Sequence, residues 1–391
     1  MLFPPVDPNE RFRERRAAIR RRKRLRRGAL IGVLLAGVAL LGAGANWMGG
    51  GESRPEAVDL ATLPASAETG PRALPIELRG VHVTSALASL PGKLDEYLDL
   101  QRDGLTALQL DIKDERGEVG FVPRSVRLAI GTGAARDHYD PRAVARRVHE
   151  RGVYLIGRIV VFEDPVLSHA RPDLAVRRSD GSVWMDAAGL GWVNPYDRRV
   201  WDYNVDLAVA ATRAGFDEIM FDYVRFPSDG DVESAIFRNR TKLKKREAVP
   251  AFLRYASKRL GPYGVRVGAA VFGLSAARDL GIGQLPRLIA PHVDTIYAMT
   301  YPSLFGRGEL GIADPGSTPG ETVARALRRF QTRLRGTDTL LVPWVQDFSF
   351  TTPYDLPKVR AQIEAGRRIG AKGYLLWNAE GLYTDGALAV P

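Results

Sequence analysis

Glu218-Ile-Met-Phe-Asp-Tyr-Val-Arg-Phe-Pro227 opens as a short apolar strand that ends on a carboxylate, Asp222, with Arg225 and a proline close behind. A run that is apolar on both faces is buried on both faces, the habit of a parallel sheet covered by helices. Ahead of it, residues 200–214 repeat apolar positions at helical spacing, and residues 234–260 follow with a second, basic helical pattern. The same alternation extends in both directions. It predicts strands at 77–84, 106–112, 153–161, 218–222, 265–272, 295–300, 340–345 and 373–377. Helices are expected at 90–102, 141–151, 200–214, 234–260, 283–290, 318–334 and 356–368. Eight strands separated by helices close as an α/β (β/α)8 TIM barrel, with the last helix short or missing because only residues 379–391 remain. A doubly wound open sheet would carry a glycine-rich phosphate turn after its first strand, and His82-Val-Thr-Ser85 is no such turn.

The barrel accounts for residues 76–391. Residues 1–27 hold eleven Lys/Arg against three Asp/Glu, which is +8 of the formal +11 and leaves only +3 for the remainder. The basic signal therefore belongs to a tail, and a nucleic-acid groove on the main domain has little support. Residues 28–45 are uninterruptedly apolar or small, long enough as a helix to span about 27 Å. With Trp47 as an interfacial aromatic and the cationic block held inside, residues 28–48 read as a transmembrane signal anchor. The competing reading is a cleaved signal peptide ending near Ala43-Gly44-Ala45. Both export the barrel from the cytoplasm, and residues 49–75 would be a flexible linker. There is no cysteine, which removes disulfides, thiolate nucleophiles and a lipid-bearing cysteine.

Barrel chemistry sits where the strands end. Those ends bring His82 and Thr84, then Gln109, Asp111 and Lys113 in alternation, then Arg158 and Glu163-Asp164. Asp222 and Arg225 follow, then Tyr301, then Trp344, Gln346 and Asp347, and last Trp377 and Asn378. Carboxylates, amides and aromatics converging on one rim suit a glycan, whose ring faces stack on aromatics and whose hydroxyls need hydrogen bonds. Scattered histidines (His82, His138, His149, His169, His292) show no metal-ligand spacing, and neither a nucleophile elbow nor a phosphate loop occurs, so no metal or cofactor is expected. The basic run Arg238–Arg246 reads as a solvated helix face.

The segments Gln109-Leu-Asp-Ile-Lys-Asp114, Arg158-Ile-Val-Val-Phe-Glu-Asp-Pro165, Phe221-Asp-Tyr-Val-Arg-Phe-Pro227, Tyr297-Ala-Met-Thr-Tyr-Pro302, Pro343-Trp-Val-Gln-Asp-Phe348 and Leu376-Trp-Asn378 carry a resemblance. Across nearly all of residues 77–385 the chain resembles a bacterial glycoside hydrolase family of TIM-barrel fold, long classed as a domain of unknown function. That resemblance implies a barrel and glycosidic-bond chemistry. More distantly, Asp222 resembles the nucleophile position of the alpha-amylase and related clans, and Tyr297-Ala-Met-Thr-Tyr301 is similar to strand six of chitinase-like barrels. The Asp-x-x-Asp-x-Asp-x-Glu run of chitinases is absent.

Glycoside hydrolysis needs one carboxyl group as acid and another as nucleophile or base. Asp222 is expected as nucleophile or base, its charge held by Arg225. Asp347, between Trp344 and Phe348, is the first candidate for the acid, with Asp111 second and Glu163 third. His82, Arg158, Arg225, Tyr301, Trp344, Gln346, Trp377 and Asn378 are expected to bind a cell-envelope or extracellular polysaccharide. Two other readings compete: a catalytically inactive glycan-binding barrel, and a membrane-tethered scaffold for envelope assembly.

Overall fold

The computed structural model describes residues 71–350 and 353–389. The expected tail 1–27, anchor 28–48 and most of the linker 49–75 therefore lie outside the described residues. Among the described residues, no helix is long and apolar enough to cross a membrane.

Eight parallel strands pair in sequence order and close into a barrel between the first and the last. They are β1 Leu78–Val83, β2 Ala107–Lys113, β3 Tyr154–Val160, β4 Glu218–Asp222, β5 Arg266–Phe272, β6 Thr295–Met299, β7 Leu340–Gln346 and β8 Gly373–Trp377. Each boundary falls within one residue of the expectation, because apolar runs this short leave little choice of where a strand starts. Around them lie α1 Lys93–Asp99, α2 Pro141–Glu150, α3 Arg198–Ala214, α4 Lys245–Leu260, α5 Pro286–Ile289, α6 Pro319–Leu334 and α7 Leu356–Ile369. Local chemistry sets the helix ends. Asp140 accepts hydrogen bonds from the Arg142 and Ala143 amides with Pro141 in the first turn, and α3 stops at Gly215, whose φ of 110° only glycine adopts readily.

Besides the helix expected at 283–290, of which only α5 and a 3₁₀ turn form, three stretches differ from the sequence reading. The helix expected at 90–102 is α1 followed by a 3₁₀ turn, since Gly92, at a φ of 75°, delays its start. The helix expected at 234–260 begins only at Lys245. Before it, Asn239 accepts from the Thr241 amide and donates to the Leu243 carbonyl, a local turn that competes with helix. Most of the basic run is thus loop. The third is the β3–α3 connection, which builds small antiparallel bridges (Arg177 with Val183, Met185 with Gly191) and buries Trp184 and Trp192.

Side chains of alternate strand residues fill the barrel in layers. The lowest layer is polar: Tyr154 and Tyr297 donate to Glu218 at 3.1 and 2.7 Å. Above it, Ile156, Met220, Ala270, Val342 and Leu375 form an apolar middle. The top layer, at the C-terminal ends, holds His82, Asp111, Arg158, Asp222 and Trp377.

One irregularity decides what reaches that layer. The β2–β3 register shifts between Asp111 and Lys113, so Asp111 pairs with Arg158 while Lys113 pairs with Ile159. A bulge re-aims the residue that follows it. Lys113 therefore leaves the barrel interior, where the alternation had put it beside Asp111. It ion-pairs instead with Asp164 at 2.6 Å and lies 5.0 Å from the centre of the Tyr203 ring on α3. Both partners of this pair are completely buried. Lys113→Met keeps the stem but strands the Asp164 carboxylate, so unfolding free energy should fall by about 3–5 kcal/mol. Urea titration of the two proteins measures this, and a loss below about 1 kcal/mol, the size of a surface pair, would contradict the buried placement.

Candidate active site

Arg158 is the centre of the rim. Its guanidinium donates through Nη1 to Asp111 Oδ1 at 2.8 Å and through Nε to Asp222 Oδ2 at 2.9 Å, with Nη2 ion-paired to the same Asp222 oxygen at 2.7 Å. One planar fork thus joins the two carboxylates and keeps the bonded oxygens within about 8 Å of each other. Asp111, Arg158 and Asp222 are each 1% exposed. Glu115, beyond the end of β2, is the more accessible carboxylate above them, its Oε2 3.6 Å from Arg158 Nη1 with the side chain 22% exposed.

The two linked aspartates sit in different surroundings. The remaining oxygen of Asp222, Oδ1, accepts from the Tyr223 amide at 2.7 Å. Tyr223 adopts a φ of 49°, a left-handed conformation that a non-glycine residue enters at a cost, and this turn aims the amide back at the carboxylate. Asp111 Oδ2 has no hydrogen-bond partner and lies 3.6 Å from His82 Nε2. Burial pushes the Asp111 carboxyl from 3.8 up to about 8, against the pull of Arg158 and with help from Glu115. Gln109 donates to Met220 Sδ at 2.8 Å and so turns its carbonyl oxygen to His82 Nδ1 at 2.9 Å, which makes Nδ1 the donor and leaves Nε2 facing Asp111.

An aromatic column lines the other side. Tyr301 stacks with Trp344 at 6.3 Å between ring centres, Trp344 with Trp377 at 4.9 Å, and Trp377 with His82 at 4.2 Å. The Arg158 guanidinium lies over the Trp377 ring at 5.2 Å. Tyr301 Oη and Trp344 Nε1 are buried without hydrogen-bond partners. Burial raises the Tyr301 phenol well above its usual range, and the charge of Asp222 raises it further. Beside the column, between Phe272 and Tyr301, the free space is only about 10 Å³.

Other expected site residues are engaged elsewhere. Arg225 does not pair with Asp222; it donates to Phe226 O at 3.0 Å and Ser228 Oγ at 3.1 Å and sits among the Trp192, Tyr223 and Phe272 rings. The cation on Asp222 comes from the neighbouring strand instead. Burial raises the Asp347 carboxyl, yet its oxygens accept from Thr384 Oγ1 at 2.5 Å and the Thr384 amide at 2.8 Å, and it bonds neither Arg158 nor the two linked aspartates. Asn378 donates to the Asp347 carbonyl at 2.6 Å. These contacts fasten the segment after β8, where Tyr383 covers His82 through hydrogen bonds to its backbone. Gln346 is consumed by Ser303 and Phe348, which tie the β6 and β7 loops together. Glu163 pairs its backbone with Trp192, and Asp164 caps a short helix by accepting from the Leu167 amide at 2.8 Å. Sequence reasoning missed Glu115. The acid-rich turn Asp114-Glu-Arg-Gly-Glu118 was the available signal. Among the described residues, no group of three or more His, Asp or Glu side chains is placed to hold a metal ion.

A closed parallel barrel with carboxylates and stacked aromatics on its C-terminal rim has the architecture of the barrel glycoside hydrolases. The chain belongs to the family described as a "putative glycosyl hydrolase domain", whose profile matches residues 80–383. No curated protein matches the chain by sequence. A hypothetical protein from Ruminiclostridium thermocellum ATCC 27405 is 35% identical, with 48% of this chain and 96% of that one covered at a TM-score of 0.45. The PgaB (BpsB) glycoside hydrolase domain from Bordetella bronchiseptica is 15% identical over 78% of this chain and 95% of its own, with a TM-score of 0.57. The alpha-galactosidase TtGalA from Thermus thermophilus is 13% identical over 81% of this chain and 61% of its own, with a TM-score of 0.50. The last two share the barrel fold.

The Asp111 proton has a measurable consequence. A carboxyl whose folded pKa is raised holds a proton that the unfolded chain releases, so its contribution turns against folding as pH rises from 3.8 to about 8 and levels off above. The stability of the wild type relative to Asp111→Asn should decline across that window. Urea midpoints at closely spaced pH values check it, and parallel curves for the two proteins would rule out a proton held by Asp111.

Proposed function

We propose that the protein hydrolyses glycosidic bonds of a cell-envelope or extracellular polysaccharide, with Asp111 and Asp222 as its working carboxyl pair. The observation that carries this reading is the Arg158 fork joining both groups on the barrel's catalytic face. A separation within about 8 Å lies inside the range over which paired carboxyl groups flank one sugar bond. Asp222, fixed by the guanidinium and the Tyr223 amide, acts as nucleophile or base. Asp111, held protonated by burial, takes the part of the acid and gives its proton to the departing oxygen. Asp347, the stronger candidate from sequence, instead fastens the segment after β8.

Substrate recognition follows from the same layer. Tyr301 Oη and Trp344 Nε1 are buried polar groups that sugar hydroxyls would satisfy. Because these groups are nearly inaccessible, the segment carrying Tyr383 and Thr384 must move to admit a glycan.

We place the barrel outside the cytoplasm, tethered through residues 28–48. Pro71 and Arg72 lie at the N-terminal face, where the Arg72 amide donates to Asp217 at 2.7 Å. A reporter fused after residue 391 should be exported and the full chain should sediment with membranes. A soluble product beginning near Asn46 would instead mark a cleaved signal.

The functional claim is tested with Asp222→Asn, which keeps shape and removes charge. Turnover per folded molecule should fall by at least about 10²–10⁴-fold, the share of a positioned base alone. Glycan binding should persist. Unchanged turnover removes Asp222 from the mechanism, and a wild type that binds envelope glycans without cleaving any favours the inactive binding barrel, a reading supported by the near-complete burial of both aspartates.

A further inference from the structure

A second site lies far from the rim. At the N-terminal end of the barrel, a cavity of about 490 Å³ opens between α2 and the end of α3, a volume suited to a small ligand. Its walls include Arg142, Arg146 and His149 on one face of α2, Arg213 on α3, and Asp217 just before β4. Three arginines face one aspartate in this lining.

Two observations separate it from an ordinary charged surface. Arg142 Nε and Nη2 are enclosed and have no hydrogen-bond partner among the described residues, a costly arrangement for a guanidinium that turning the side chain toward an anion in the cavity would relieve. Arg142 also sits in the first turn of α2, where the helix dipole disfavours a cation, so helix stability does not explain it. The carboxylate in the wall does not supply the missing charge. Asp217 is already occupied by the Arg72 amide at 2.7 Å, the Leu155 amide at 2.8 Å and His149 Nε2 at 2.9 Å. Among the described residues, Arg213 donates only to the Tyr263 hydroxyl at 3.2 Å, and Arg146 has only a distant partner in Glu150 at 3.9 Å.

We infer that this cavity binds a phosphate-bearing anion, with Arg142 and Arg213 as its principal ligands. Guanidinium forks match phosphate oxygens in charge and geometry. A lipid phosphodiester headgroup and a free phosphate monoester present the same anionic oxygens to these forks.

Isothermal titration of the purified full chain with inorganic phosphate and, separately, with glycerophosphoglycerol tests the site, at matched ionic strength with sodium chloride as the control. At least one phosphate compound should bind with one-to-one stoichiometry where chloride does not. Arg142→Gln and Arg213→Gln should each weaken binding by about tenfold or more, with the melting temperature little changed. Tighter binding of the diester identifies a lipid headgroup as the source, and tighter binding of inorganic phosphate identifies a free monoester. Absence of binding to both, or equal affinity in wild type and both folded variants, overturns the inference.

Discussion

The arrangement at the rim depends on one constraint: two carboxylates and a guanidinium share a space that water scarcely reaches. Each charge alone would be costly there, and the Arg158 fork is what makes the cluster tolerable. A single cation cannot fully compensate two acids. Asp222 accepts hydrogen bonds from Arg158 Nε and the Tyr223 amide and ion-pairs with Arg158 Nη2, whereas Asp111 accepts one from Arg158 and keeps an oxygen turned to His82. The asymmetry of the pair follows from that unequal division. It is the kind of difference that lets two like groups serve as acid and base.

The backbone around the cluster is shaped to deliver it. Without the bulge in β2, Lys113 would enter the same interior as Asp111 and compete with Arg158. With it, the lysine is spent outside the barrel on Asp164, and the loop after β3 is pinned at the same stroke. The left-handed Tyr223 serves Asp222 in a comparable way. The opposite end of the barrel resolves its polar burden by other means, with two tyrosine hydroxyls on Glu218 and the incoming chain on Asp217. The two ends are kept apart by an apolar middle layer.

The barrel was legible because its strands are short, apolar and bounded by turn residues, so register could hardly slip. The rim residues were legible as a set, because strand ends define the working face. Their pairings were not. Arg225 stands three residues from Asp222 in sequence, yet the left-handed turn between them sends it into an aromatic pocket, and the neighbouring strand supplies Arg158. Asp347 read as a desolvated acid, and burial does raise it, but Thr384, distant in sequence, takes both its oxygens. A bulge leaves no mark in composition, so the fate of Lys113 was likewise hidden. Glu115 escaped notice because it belongs to a turn rather than a strand. The helix assumed through the basic run failed because asparagine chemistry near Asn239 outweighed helical periodicity.

The central claim is that the linked pair works as acid and base, and the pH dependence of kcat/KM on a cleaved envelope glycan tests it most directly. The account predicts a bell whose alkaline limb falls near the raised Asp111 value of about 8 and disappears, with most of the rate, in Asp111→Asn. An alkaline limb that survives the substitution at full rate would contradict it.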